Sequence, residues 1–93
     1  MKRERREKLR HLRAKARQIT RDTGVQHDLH HRKPTSRGGE DVEENISIVP
    51  VRSHVVFHGL FFNLSLEAIA QVLSERWIDP DYELIARRKF KVT

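Results

Sequence analysis

The chain has 93 residues and a mass of 11.0 kDa, with 37% apolar and 34% charged residues, so the expectation is one small domain with a thin core. It contains no cysteine, which excludes a disulfide framework, a thiolate zinc site and a cysteine nucleophile. The net charge is +6, no apolar run approaches the roughly 18 residues of a membrane span, and the N-terminus is too charged for a signal peptide, so a soluble cytoplasmic protein with no membrane partner is expected.

The first element in chain order is a helix over residues 2–19, a stretch free of Gly and Pro. Leu9, Leu12, Ala16 and Ile19 recur at spacings of three and four and form one apolar stripe. The rest of the surface is basic. Residues 1–21 hold ten basic and two acidic side chains, a surplus of +8 that leaves −2 for the remainder. Such asymmetry suits an arm that binds a polyanion, nucleic acid first of all, because each neutralised phosphate releases a counterion. A merely solvated charged helix is the plainer reading. Thr23-Gly24 breaks the pattern.

A strand is expected over residues 25–32, then a loop from Pro34 through Gly38-Gly39 and the acidic run Glu40 to Glu44. Ile46, Ile48 and Val49 predict a second strand ending at Pro50, and the long connection makes a wide hairpin. From Val51 a helix follows, ending near Asn63. Ser65 is the expected N-cap of another helix carrying Leu66, Ile69, Ala70, Leu73 and Trp77. Asp79-Pro80 reads as the start of a short last helix through Tyr82, Leu84 and Ile85. Three segments result: an arm at 1–22, a core at 23–63 and a helical extension at 64–93. Trp77 and the phenylalanines are expected in the core rather than as base-stacking surfaces.

Five of the six histidines lie between positions 27 and 58: His27, His30, His31, His54 and His58. Imidazole is the commonest neutral metal ligand and the commonest general base near neutral pH. His54 and His58 stand four apart on the predicted helix and so share a face. A helical pair alone is more often surface or core filling. His30 and His31 are neighbours on the predicted strand and so point to opposite faces, which lets them serve two purposes.

The order strand, wide loop, strand, helix carries His31-Arg32-Lys33-Pro34, then Ser36-Arg37-Gly38-Gly39, then Glu44-Asn45, then His54. Fourteen residues separate His31 from Asn45, and nine separate Asn45 from His54. In these residues and intervals the chain resembles the HNH endonuclease family, over about residues 27–62. The resemblance implies a small ββα-metal core; with the basic N-terminal helix and the C-terminal helices read from periodicity and expected to pack on it, the expected fold class is α+β. The cysteine pairs that hold a structural zinc in many family members are missing, the downstream pair falling at Pro50 and Ser53. The apolar C-terminal helices are the expected substitute.

By that resemblance His31 is the general base that activates water, and Asn45 tethers the wide loop. His30, His54 and His58 are the ligands of one divalent ion. The implied reaction is hydrolysis of a phosphodiester bond, leaving a 5′ phosphate and a 3′ hydroxyl, with little sequence preference and with DNA ahead of RNA as substrate. Zn, Ni, Co or Mn suits three imidazoles, and Mg less so. Arg32 and Arg37 are candidates for gripping phosphate, as are Arg3, Arg6, Arg10, Arg13 and Arg17 on the arm, although each also reads as an ordinary exposed charge. The alternative expectation is a non-catalytic module that binds nucleic acid or a protein on the same scaffold.

Overall fold

A computed structural model describes the backbone of residues 2–90 and the side chains of residues 7–90. The chain divides into two compact units, residues 1–60 and 61–93. Among the described residues they are mixed α and β, with three α-helices and one two-stranded antiparallel sheet.

Helix α1 spans Lys2–Thr23. Leu9, Leu12 and Ala16 are buried on one side while Lys8, Arg10, Arg13, Lys15 and Arg17 are exposed, so the predicted stripe and basic face both form. The helix ends where Gly24 enters the left-handed region at φ +71°, and the Gly24 amide donates to the Thr20 carbonyl. Thr20 then links helix to strand, because its hydroxyl oxygen accepts from the His27 amide at 3.0 Å.

Strand β1, His27–His31, pairs antiparallel with β2, Ile46–Pro50, with His30 opposite Ser47 and His31 opposite Ile46. Leu29 packs on the buried cluster of Leu9, Leu12 and Ile46, which seats α1 against one face of the hairpin. Alternation along the strand sends Asp28 and His30 to the other face. There helix α2, Val51–Phe61, follows β2 without a connecting residue. The core of this unit is thin, at roughly 1.5–3 kcal/mol per fully buried aliphatic side chain.

Two short helical turns, Thr35–Arg37 and Glu43–Asn45, shape the wide loop. Gly38 sits at φ +88°, and a side chain on Gly39 would run into the Lys33 carbonyl, so both glycines are required by the path of the backbone.

In the second unit, α3 spans Leu66–Arg76, and the Ser65 hydroxyl caps it by accepting from the Ala68 amide at 3.1 Å. Two expectations fail here. The last helix does not form. Asp79 instead accepts from the Asp81 amide through its side chain and from the Tyr82 amide through its carbonyl, which closes a turn. The backbone of Leu84 is then taken by the Ser74 hydroxyl, which accepts from its amide and donates to its carbonyl. Trp77 and Phe62 are also not core residues, at 63% and 84% exposure, and among the described residues of this unit only Ala70 is buried. Among the described residues no single helix is long and apolar enough to cross a membrane.

Candidate metal centre

Three histidines meet on the hairpin face that carries α2. His30 comes from β1, and His54 and His58 come from successive turns of α2. Ring centroids are 5.0 Å apart for His30 and His54, 5.6 Å for His30 and His58, and 4.6 Å for His54 and His58. One ring nitrogen from each lies within 4.8 Å of the other two, so the three could hold a metal ion. Phe57 stands edge-on to both His30 and His58 and gives the cluster an apolar wall.

The hydrogen bonds fix the roles of the nitrogens. His54 Nδ1 lies 3.3 Å from Asp28 Oδ2. A carboxylate only accepts, so Nδ1 carries the proton and donates. His54 Nε2 therefore holds a lone pair, and His58 Nε2 donates to it at 2.8 Å. This is the second-sphere arrangement that prepares an imidazole to bind a metal, with the outer nitrogen tied to a carboxylate and the inner one aimed at the ligand cluster.

The pKa of His30 lies below the ordinary imidazole value of 6.5, first because burial disfavours its charged form, then because His54, His58 and His31 would repel that charge. Neutral His30 is the form that can ligate a cation. The sign for stability follows from linkage: below about pH 6.5 the unfolded chain takes up a proton that folded His30 resists. The metal-free protein is therefore expected to melt at progressively lower temperature as pH falls from 8 to 5. His30→Gln should flatten that slope, and equal slopes for the two proteins would remove His30 as its source.

His31 turns to the opposite side. Its Nε2 donates to Asp41 Oδ1 at 2.7 Å, and the side chain keeps 24% exposure. The bracing of the loop comes from Asn45. Its Oδ1 accepts from the Lys33 amide at 2.7 Å, and its Nδ2 donates to the carbonyls of Lys33 and Glu40, both at 3.0 Å. The Asn45 carbonyl also accepts from the Arg32 amide. One side chain thus closes both ends of the Lys33–Glu40 segment.

Among the described residues the arginines do not join the histidine cluster. Arg32 is exposed and donates to the Glu44 carbonyl at 3.3 Å, and Arg37 is exposed in the first loop turn. Arg10, Arg13 and Arg17 are exposed along α1, while the side chains of Arg3 and Arg6 lie outside the described residues. Two residues of the site went unnoticed in the sequence. Asp28 had a usable signal, since it sits two positions before His30 and shares its strand face. Asp41 had none, lying inside an acidic run that reads as solvated loop.

No protein-family model, curated protein or solved structure matches this chain.

Proposed function

We propose that this protein is a metal-dependent endonuclease of the HNH type, acting on DNA with little sequence preference. The observation that carries the proposal is the separate placement of His30 and His31. One ring of the adjacent pair joins two α2 imidazoles, and the other stands apart from them beside a loop tied by Asn45.

On this reading His30, His54 and His58 would hold one divalent ion, which would supply Lewis-acid chemistry to phosphodiester hydrolysis. Phe57 limits water on one side of that cluster. His31 accepts the proton of a water molecule, whose oxygen attacks phosphorus as the bond to the 3′ oxygen breaks. The products carry a 5′ phosphate and a 3′ hydroxyl. Asn45 keeps the loop beside His31 in place. Arg32 and Arg37 offer charge to neighbouring phosphates, and the exposed arginines of α1 supply sequence-independent affinity for the backbone.

The test is cleavage of supercoiled plasmid by the purified protein with Mg, Mn, Co, Ni or Zn, each with and without chelator. Nicking that needs the metal and weakens as salt rises is the expected result. A protein that shifts DNA in a gel but cuts nothing with any ion sinks the enzyme reading and leaves the binding module in its place.

A further inference from the structure

His31 does not sit in its loop as a bare imidazole. Its Nε2 is 2.7 Å from Asp41 Oδ1, and the carboxylate is only 15% exposed. Asp41 follows Glu40, whose carbonyl is held by the Asn45 side chain, and β1 runs directly into the Arg32 amide held by the Asn45 carbonyl. Both partners of the contact are thus anchored through the same asparagine. An ionised carboxylate only accepts, so the ring proton must lie on Nε2. That leaves Nδ1 as the nitrogen with a free lone pair.

We propose that Asp41 is a positioning residue that locks His31 as the Nε2–H tautomer, so that Nδ1 alone is presented to the attacking water. The inference rests on the nuclease reading of the site and names the atom that does the work. In the step, a water proton moves to Nδ1, the water oxygen forms a bond to phosphorus, and the bond from phosphorus to the 3′ oxygen breaks. The leaving oxygen takes a proton from solvent. The Nε2 proton stays on the ring, shared with Asp41, which steadies the cationic imidazole while it exists. An Asp–His pair of this kind sets tautomer and orientation without itself touching substrate.

The experiment compares the full-length wild type with Asp41→Asn and Asp41→Ala. Imidazole ¹⁵N chemical shifts of His31 report the tautomer, steady-state plasmid nicking reports kcat and KM, and zinc titration reports the metal site. The wild type should show protonated Nε2 and unprotonated Nδ1. Asp41→Asn should lose that preference, because its amide can donate to Nε2 instead. The expected loss is about 10–100-fold in kcat with KM and zinc affinity unchanged, since the pair is less enclosed than a buried triad. An active wild type matched by equally active Asp41 variants overturns the inference while the nuclease reading stands. So does an unchanged His31 tautomer, or a kcat loss that tracks a loss of zinc binding. An inert wild type overturns the nuclease reading and the catalytic role with it, and the tautomer shifts then decide whether Asp41 fixes the ring.

Discussion

Replacing His31 by alanine is expected to give a protein that folds, binds a divalent ion as the wild type does and scarcely cuts nucleic acid. The expected loss is about 10²–10⁴-fold in kcat, the usual contribution of a positioned general base. Two features make the loss selective. The ring points away from the three-histidine cluster, so its removal takes no ligand from the metal. Its Nε2 bonds to Asp41 Oδ1 and its side chain keeps 24% exposure, so truncation removes a part-exposed ring rather than one of the buried side chains Leu9, Leu12 and Ile46. Plasmid nicking and zinc titration on the same preparation check both halves. Wild-type cleavage by His31→Ala would take this residue out of the chemistry. Loss of metal in step with activity would instead place the ring among the ligands.

His54→Ala should have the opposite signature, with metal binding lost first and activity as a consequence. His54 is the pivot of the cluster, bonded to Asp28 through one nitrogen and to His58 through the other. Changing a second-sphere partner of a metal ligand typically costs 10–100-fold in affinity. Removing a ligand outright should cost at least about 100-fold. The readout is the rise in melting temperature on adding zinc. A ligand at 100 times its Kd stabilises a fold by about 2.7 kcal/mol, which should be visible in the wild type and absent in the variant. An undiminished response to zinc in His54→Ala would mean that the metal binds elsewhere.

Much of this architecture was legible in the sequence, for physical reasons. The stripe of Leu9, Leu12 and Ala16 needed only helical periodicity, and Ser65 needed only the chemistry of a helix N-terminus. The facing of His30 and His31 followed from strand alternation, and the proximity of His54 to His58 from helical pitch. Burial in the C-terminal unit departs from expectation because periodicity records what a segment could bury and not what is there to cover it. Trp77 has the right spacing and remains exposed. The expected last helix competed with a side-chain turn at Asp79 and with the Ser74 hydroxyl, and neither competitor has a periodic signature. Asp41 was hidden for a related reason: its contact depends on the path of the loop, which Asn45 sets from outside the acidic run.

Adjacent placement of His30 and His31 has a consequence for robustness. On the proposed reading the two roles fall on consecutive α-carbons about 3.8 Å apart, whose side chains leave on opposite faces of the strand. That covalent link keeps the two rings on separate sides even where the interior is thin.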